Sequence, residues 1–296
     1  MIIAGPTAVG KTDLCINLAK RLNTPIISAD SRQFFKEMNI GTAKPSAHDM
    51  KNGPHFFVNS HSIHDEYDVR KFEKDVMELL GQLFENHDVV IMTGGSGLYI
   101  NAVTEGLDEM PEIDKDVRIM LNKLYREEGL KVLQAKLAEV DPDYYQMVDL
   151  NNPQRLIRAL EVSYGTGRPY SSYRVKVKTE RPFHAIKIAL YRDRNELYDR
   201  IDARMDDMIS QGLFEEAAAL YPFRHLNALQ TVGYREIFDY MDGLYDREEA
   251  IRLLKRNSRR YAKRQMTWLR KDETYTWFHP AEQERIFDFI ACQMAL

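Results

Sequence analysis

The sequence predicts an α/β protein, a P-loop NTPase-like parallel sheet flanked by helices, with a helical insertion domain. Three observations carry the prediction. Apolar strands alternate with amphipathic helices in the first third, a phosphate-loop pattern lies between the first strand and helix, and a charge-rich helical stretch interrupts the alternation. The predicted domains are a P-loop core over 1–110, a helical insertion over 111–180, and the rest of the core with C-terminal basic helices over 181–296.

Composition narrows the class of protein. The 296 residues carry 41 Lys and Arg against 45 Asp and Glu, a net charge of −4, with 44% hydrophobic residues. No apolar run approaches the roughly 20 residues of a membrane helix. Cys15 and Cys292 are too few for a disulfide scaffold or a four-cysteine zinc site. We therefore expect a cytoplasmic protein without a membrane partner, and the net charge alone argues weakly against nucleic acid. A monomer is the separate expectation for the oligomeric state.

The apolar runs predict four strands at 2–4, 25–29, 88–92 and 185–190. Strands joined by helices form parallel sheets, whose ligands bind beyond the carboxyl ends of the strands. Residues 193–196 have capping-box spacing before a helix that runs through Met208. In the insertion, helices are expected to break at Gly129, at 141–142, at 151–153 and at 165–167, and the C-terminal third is expected to be helical.

The pattern G-x-x-x-x-G-K-T follows the first strand. Its glycines let backbone N–H groups surround phosphate oxygens, Lys11 adds a positive charge, and the Thr12 hydroxyl is placed to ligate Mg²⁺. Chance occurrence of this pattern between a strand and a helix is rare, although the pattern leaves open whether the phosphates belong to ATP or to another diphosphate. The predicted diphosphate-binding residues are Gly5, Pro6, Thr7, Ala8, Val9, Gly10, Lys11 and Thr12.

Two strand ends beside this loop differ in chemistry. Asp30 follows the second strand and is placed either as a general base or as the cap of a following helix, since Asp-x-x-Gln has capping-box character. The strand over 88–92 is followed by no carboxylate, which disfavours an ordinary kinase. Its glycine pair predicts close approach of the backbone to a ligand, and the Thr93 and Ser96 hydroxyls are candidates to bind phosphate or a nucleoside.

Residues 251–271 contain nine Lys or Arg and no acid. One helical sector is basic, while Leu254, Tyr261 and Trp268 recur on another, which favours an RNA-binding face over a solvated surface. The basic sector consists of Arg252, Arg256, Arg259, Arg260, Lys263 and Arg264. A second basic set borders the insertion: Arg155, Arg158, Arg168, Arg174, Lys176 and Lys178.

Two smaller patterns leave alternatives open. Arg200 and Arg204, one helical turn apart, either reach a diphosphate or pair with nearby acids. His61 and His64 have spacing that could suit a metal, but without cysteines nearby an ordinary surface role is favoured.

Six segments in this order resemble the tRNA dimethylallyltransferases, also called tRNA isopentenyltransferases, of the compact bacterial type. They are GPTAVGKTDL from Gly5, ISADSRQFFKEMNIGTAKP from Ile27, TGGSGLYI from Thr93, NPQRLIRALEV from Asn152, TVGYREI from Thr231 and YAKRQMTWLRK from Tyr261. The resemblance covers nearly the whole chain. It implies transfer of a dimethylallyl group from dimethylallyl diphosphate to N6 of the adenosine 3′-adjacent to the anticodon.

The resemblance also implies residue roles. The catalytic group would be Asp30 as general base, Lys11 and Thr12 with Mg²⁺ on the leaving diphosphate, Ser96 at the substrate adenosine, and Arg204 on the diphosphate. The insertion would grip the anticodon stem-loop. The implied tRNA contacts are Asp30, Ser31, Arg32, Gln33, Ser96, Arg118, Gln154, Arg155, Arg158, Gly233, Tyr234, Arg235, Lys263, Arg264, Gln265, Trp268 and Arg270.

Two other classes of protein remain as alternatives. A P-loop small-molecule or nucleoside kinase would use Asp30 as base for a hydroxyl, but the strand end without an acid and the acid-free basic helix disfavour it. A non-catalytic RNA-binding module is disfavoured because Lys11, Thr12 and Asp30 are all present.

Overall fold

The computed structural model describes residues 1–51, 53–175 and 178–295. The chain divides into two compact units, one joining Met1–Thr104 with Arg181–Leu296 and the other formed by Glu105–Glu180. The sequence pattern starts the insertion at residue 111, whereas the compact unit starts at Glu105. The earlier start has a structural basis, because the backbone N–H of Thr179 donates to the Glu105 carbonyl at 2.8 Å and joins the two ends of the unit.

The first unit is built on a six-stranded sheet in which every pairing is parallel. The strands are β1 (Ile2–Ala4), β2 (Ile26–Ser28), β3 (His55–Phe56), β4 (Ile91–Gly94), β5 (Lys187–Leu190) and β6 (Thr276–Phe278). Their order across the sheet is β3-β2-β4-β1-β5-β6. This sheet, with helices around it, confirms the predicted fold class.

Alternation along the strands builds a core on each face of the sheet. Ile3, Ile91 and Ile188 belong to one apolar cluster. Ile2 and Met92, one position away along β1 and β4, belong to another. A parallel sheet buried on both faces explains why these strands are continuously apolar in the sequence.

Three strand predictions need correction. The run at 88–92 was predicted as a strand, but β4 begins at Ile91 and includes Thr93 and Gly94. The strand β6 lies in the C-terminal third that was predicted to be helical, and β3 was not predicted. Both missed strands are edge strands of two or three residues, too short for a periodic pattern.

The helices begin and end mostly where the sequence places its breaks. In chain order they are α1 (Lys11–Leu22), α2 (Ala47–Lys51), α3 (Val69–Leu83), α4 (Gly97–Glu105), α5 (Lys115–Glu128), α6 (Leu130–Val140), α7 (Pro142–Met147), α8 (Pro153–Thr166), α9 (Arg194–Ser210), α10 (Leu213–Leu220), α11 (Arg235–Met241), α12 (Arg247–Leu269) and α13 (Gln283–Met294). Across the described ranges, none is long and apolar enough to cross a bilayer.

The predicted capping box at residues 193–196 is wrong in its side-chain part. Helix α9 does begin after Asp193, but the Asp193 side chain makes no capping hydrogen bond. Glu196 instead forms an ion pair with Arg192 and lies 3.4 Å from His279 Nε2. A capping box would need the Glu196 carboxylate to accept a backbone N–H at the start of the helix. In this protein that carboxylate interacts with the side chains of Arg192 and His279.

The second unit packs α5 to α8 around a separate apolar core. Leu121, Leu133, Leu156 and Leu160 are fully buried in it. Local chemistry ends its helices, since Asp141 and Asn152 cap the following helices through their side chains and Gly167 takes a left-handed conformation. The predicted breaks therefore coincide with the observed ones.

Candidate functional site

A cavity of about 520 Å³ lies in the first unit, beyond the carboxyl ends of β1, β2 and β4. The phosphate loop, Asp30 and the glycines after Thr93 line it, together with Arg204 from α9 and Tyr261 from α12. Its position is the one expected for a ligand of a parallel α/β sheet. The cavity brings most of the predicted catalytic residues together.

The phosphate loop joins β1 directly to α1. Ala8 and Gly10 have φ values of 62° and 109°, the left-handed conformations that bend the chain around a phosphate-sized space. The Lys11 ammonium donates to the carbonyls of Gly5 at 2.9 Å and Pro6 at 2.8 Å. Its charge is thereby held inside the loop, at the N-terminus of α1.

Burial, together with the nearby Arg204 guanidinium, lowers the pKa of Lys11 to about 8, while Asp30 acts in the opposite direction. Three cations of the lining that are not exposed, Lys11, Arg32 and Arg204, face its one unexposed carboxylate, Asp30, so the site is short of negative charge. A diphosphate supplies that charge, so the electrostatics favour an anionic ligand.

Three arginines contact the phosphate loop. Arg204 Nη1 donates to Thr7 Oγ1 at 3.3 Å, Arg200 Nε to the Ala8 carbonyl at 2.9 Å, and Arg192 Nε to the Val9 carbonyl at 2.8 Å. Within the described ranges neither Arg200 nor Arg204 forms a salt bridge, so the predicted alternative of pairing with acids is not what the structure has. Sequence reasoning missed Arg192, although its place just after β5 could have revealed it.

Asp30 follows β2 and forms a turn rather than a helix cap. Its Oδ1 accepts the Arg32 backbone N–H at 2.9 Å, and residues 31–34 are turns, so the alternative role of capping a helix is wrong. In the described chain Asp30 Oδ2 accepts no hydrogen bond. The carboxylate is therefore oriented through one oxygen while the other can accept a proton.

Other side chains of the 30–33 segment also point into the protein. Burial lowers the pKa of Arg32, against the effects of Tyr99, Asp30 and Tyr261. The Gln33 side chain accepts from the Ser28 hydroxyl at 2.9 Å and donates to the carbonyls of Thr42 and Ala43, each at 3.2 Å. Gln33 thus orders the loop at 42–43, a role that the predicted tRNA contact did not anticipate.

Ser96 links the ends of β2 and β4. Its hydroxyl accepts the Ser31 backbone N–H at 3.1 Å and donates to the Ser31 hydroxyl at 3.3 Å. Burial raises the pKa of Tyr261 to about 12, a hydrogen bond with Ser96 acting against it. Heptad spacing predicts Tyr261 only on a packing face. The structure shows that Tyr261 also lines the cavity, which spacing cannot reveal.

The glycines after Thr93 make room for the protein's own side chains. A Cβ on Gly95 would lie 2.1 Å from Gln265 Nε2, and one on Gly97 would lie 2.1 Å from the Trp268 ring. These two glycines therefore allow α12 to approach the backbone closely. Gly94 and Gly95 also line the cavity, and their close approach to a ligand stays a prediction. Trp268, half-buried against Gly97, is less open to RNA than the prediction supposed.

Gln265 joins the phosphate loop to the end of β4. Its Oε1 accepts the Thr7 backbone N–H at 2.9 Å and its Nε2 donates to the Gly95 carbonyl at 3.0 Å. The residue is only 6% exposed. Because both ends of the amide are used within the protein, these contacts give Gln265 a positioning role, while its tRNA contact stays a prediction.

The segment 231–235 divides in the same way. Arg235 is exposed, as a tRNA contact requires. Tyr234 is fully buried and donates its hydroxyl to Glu216 at 2.6 Å, and Gly233 is buried with a φ of 104°. The Tyr234 ring therefore fills the core beside α10 and is not exposed for a tRNA contact. Gly233 lines the cavity, and its tRNA contact stays a prediction.

The basic helix α12 has a paired half and an open half. Lys255 and Arg259 form salt bridges with Asp206 and Asp202 of α9, and Arg252 with Glu249. The open half is exposed and, among the described residues, forms no salt bridge. It comprises Arg260, Lys263 and Arg264, together with Arg270 directly after the end of the helix. The predicted basic face is thus narrower than the sequence suggested.

In the second unit, Arg118 and Arg158 both pair with Glu161 Oε2 at 3.0 Å. Arg118 Nη2 also donates to Gln154 Oε1 at 3.4 Å, and Arg155 is exposed on the same helix as Arg158. The structure therefore brings together the tRNA contacts predicted for this unit. Lys176, predicted in the second basic set, lies outside the described residues.

Across the described chain no group of three or more His, Cys, Asp or Glu is arranged to hold a metal ion. His61 stacks on Tyr67 with ring centroids 3.7 Å apart, in agreement with an ordinary role. Thr12 is exposed and lines the cavity. One hydroxyl fits a Mg²⁺ ion whose other ligands are phosphate oxygens and water, because Mg²⁺ commonly retains several waters.

The fold and the cavity define a P-loop-like protein with an oriented carboxylate beside its phosphate loop. The family model described as IPP transferase matches residues 33–272. The chain therefore belongs to the IPP transferase family.

Individual relatives agree with this assignment. A tRNA dimethylallyltransferase from Cytophaga hutchinsonii is 51% identical over 294 residues, covering 99% of this chain and 97% of the relative. A tRNA isopentenylpyrophosphate transferase from Bacillus halodurans of known structure is 38% identical, with a TM-score of 0.73 and coverage of 99% and 96%. A eukaryotic dimethylallyltransferase, whose structures are described as acting on tRNA, is 26% identical with a TM-score of 0.72, covering 90% of this chain and 69% of the other.

Proposed function

We propose that this protein transfers a dimethylallyl group from dimethylallyl diphosphate to N6 of the adenosine 3′-adjacent to the anticodon in tRNA. One observation carries the proposal: a phosphate loop, three arginines and an oriented carboxylate line the same cavity. Family membership makes the protein a tRNA prenyltransferase rather than a kinase. The finer assignments rest on the chemistry of the cavity.

The cationic part of the cavity suits the diphosphate. Loop N–H groups, Lys11 and Arg204 would bind its oxygens and stabilise the charge that develops as diphosphate leaves. The apolar lining near Arg204 includes Met205, Leu213 and Val232. Apolar side chains next to a cationic site match a molecule with a short hydrocarbon group attached to a diphosphate.

The reaction exchanges one bond for another. The bond between the allylic carbon and diphosphate oxygen breaks, its electron pair leaves with diphosphate, and N6 of adenosine forms a bond to the same carbon. Asp30 would accept the N6 proton through its free carboxylate oxygen. Ser96 and Tyr261 would border the adenine, which must leave its stack to reach this depth.

Mg²⁺ is part of the proposal as an ion that arrives with the diphosphate. When bound, it would neutralise charge on the leaving oxygens, and Thr12 is the residue that would hold it. Lys11 and Arg204 would also neutralise charge on the leaving diphosphate. Their contribution is consistent with a metal site to which the protein supplies one oxygen ligand, the Thr12 hydroxyl.

The tRNA contacts fall on several surfaces. In the first unit, Arg235 and the open half of α12 offer exposed positive charge. In the second unit, the Arg118, Gln154 and Arg158 cluster with exposed Arg155 would hold the anticodon stem-loop. The proposal further places the protein in the cytoplasm as a monomer, because tRNA is found there and all the proposed catalytic groups belong to one chain.

Labelled dimethylallyl diphosphate and unmodified tRNA, incubated with the purified protein and Mg²⁺, test the proposal. We expect one label per susceptible tRNA, on N6 of the adenosine after the anticodon. A parallel reaction with γ-labelled ATP and a nucleoside mixture tests the kinase alternative. Absence of label in tRNA, together with phosphorylation of a nucleoside, would contradict the proposed function.

A further inference from the structure

Glu216 on α10 binds a loop that lies next to the diphosphate site. Its Oε2 accepts the backbone N–H groups of Asn39 at 3.0 Å and Ile40 at 2.8 Å, and its Oε1 accepts that of Gly41 at 3.0 Å. One carboxylate thus binds three consecutive amides. Hydrogen bonds to an ionised acceptor are stronger than neutral ones, so this contact fixes the course of the loop.

Tyr234 completes the arrangement. Its hydroxyl donates to Glu216 Oε1 at 2.6 Å, and its ring packs so closely on the loop that a Cβ on Gly41 would lie 2.6 Å from it. Burial raises the pKa of Tyr234, and the Glu216 carboxylate raises it further. The hydroxyl therefore stays protonated and remains a donor over the pH range in which enzymes work.

The loop continues into the cavity wall. Gly41, Thr42 and Ala43 line the cavity. Ala43 has a φ of 48°, a conformation that residues with a Cβ rarely adopt without support from neighbours. Its carbonyl accepts Gln33 Nε2 at 3.2 Å and Arg204 Nη2 at 3.4 Å.

Arg204 is therefore held from two sides. The Ala43 carbonyl accepts one guanidinium nitrogen, and the Thr7 hydroxyl accepts the other at 3.3 Å. The direction of the Ala43 carbonyl depends on the loop that Glu216 binds. If the loop moves, Arg204 loses one of its two supports, and a guanidinium needs both to present a fixed edge to a phosphate.

We propose that Glu216, with Tyr234, is a positioning residue for diphosphate binding: it holds residues 39–43 so that the Ala43 carbonyl orients Arg204 toward the diphosphate. This inference rests on the proposed function only in naming the ligand as a diphosphate. The Glu216 side chain does not line the cavity. Its carboxylate acts through the loop, which distinguishes it from Arg204 and Lys11.

The test compares E216Q with E215Q, a matched control one residue away on the same helix. Glu215 is exposed and lines no part of the cavity. In E216Q one oxygen of the side chain becomes an NH₂ group. This group faces backbone N–H or hydroxyl donors and cannot accept the hydrogen bonds that the carboxylate oxygen accepts. We measure the affinity for inorganic pyrophosphate with Mg²⁺ by calorimetry, the KM for dimethylallyl diphosphate and kcat separately, and the melting temperature.

We expect E216Q to bind pyrophosphate at least about tenfold more weakly, since lost hydrogen bonds to a charged group are worth that much. KM for dimethylallyl diphosphate should rise by a similar factor, with a smaller change in kcat, while E215Q matches the wild type. Y234F keeps the ring on Gly41 and removes one donor, so its affinity should fall by about threefold. If E216Q does not fold, Y234F tests the inference by itself.

Pyrophosphate affinity equal to that of E215Q in both variants would overturn the inference, as would a lower melting temperature with unchanged KM, the pattern of a purely structural contact. The wild-type protein separates this failure from failure of the proposed function. If it labels tRNA while E216Q binds pyrophosphate normally, only the positioning role is wrong. If it labels no tRNA, the pyrophosphate measurement still decides the role of Glu216.

Discussion

The side chain of Gln265 accepts the backbone N–H of Thr7 at 2.9 Å across 258 positions of sequence. The same side chain donates to the Gly95 carbonyl, so a single amide group connects α12, the phosphate loop and the end of β4. Such a connection links the helix that carries the open basic charges to the loop that would bind diphosphate. The loop therefore depends on α12 for part of its geometry.

Replacing Gln265 with leucine should destabilise the protein. The change keeps the volume but leaves the Thr7 N–H and the Gly95 carbonyl without partners, at a cost of about 2 to 4 kcal/mol in the free energy of unfolding. Chemical denaturation measures it, with Q82L at an exposed position of α3 as control. If Q265L has normal stability and only binds tRNA more weakly, the result would contradict this structural role and support a direct contact between Gln265 and tRNA.

Asp30 variants should separate proton transfer from binding. D30N retains an oxygen for the Arg32 N–H but cannot take a proton at neutral pH, so we expect kcat to fall by about 10² to 10⁴. D30A, which has no side-chain oxygen, should abolish measurable turnover. Filter binding should show that both variants hold tRNA within a few fold of the wild type. An equal loss of tRNA affinity would make Asp30 a structural residue.

The lowered pKa of Lys11 predicts a pH dependence of diphosphate binding. With a pKa of about 8, Lys11 is charged at pH 7 and loses its proton as the pH rises through 8. Pyrophosphate binds the charged form, so its affinity should be constant below pH 8 and fall by about tenfold per unit above it. Calorimetry between pH 7 and 10 measures the profile.

The variant K11R provides the control for that profile. Arginine stays charged throughout, so any slope that remains with K11R comes from the ligand or from other groups. Identical profiles for the wild type and K11R would contradict a titrating Lys11. A uniformly weaker but flat K11R profile agrees with the prediction, because the guanidinium cannot reproduce the contacts with Gly5 and Pro6.

The open half of α12 should determine the salt dependence of tRNA binding. The double variant K263Q/R264Q removes two exposed charges. The plot of log affinity against log salt concentration should then be less steep, with the magnitude of its negative slope smaller by about one or more. The matched double variant K255Q/R259Q removes two charges that are paired with α9. It should alter stability more than the slope, and an equal slope change in both would contradict the division of the helix.

Local sequence was sufficient for the parts of the fold that local chemistry determines. The phosphate loop follows from spaced glycines between an apolar run and an amphipathic one. In the second unit, proline, glycine and capping side chains end the helices where the sequence predicts. Edge strands β3 and β6 could not be predicted, because two or three residues carry no period and their pairing partners lie far along the chain.

The site divides along the same line. Lys11 and Asp30 were predictable, since motif and strand-end position place them near a ligand. Helical spacing left Arg204 open, and the resemblance selected it and named the reaction. Tertiary structure alone decided that Asp202 and Asp206 neutralise half of the basic helix, that Gln265 and Tyr234 face inward, and that Glu216 binds the loop beside Arg204. Those outcomes depend on contacts between residues far apart in sequence, which packing determines and no local pattern encodes.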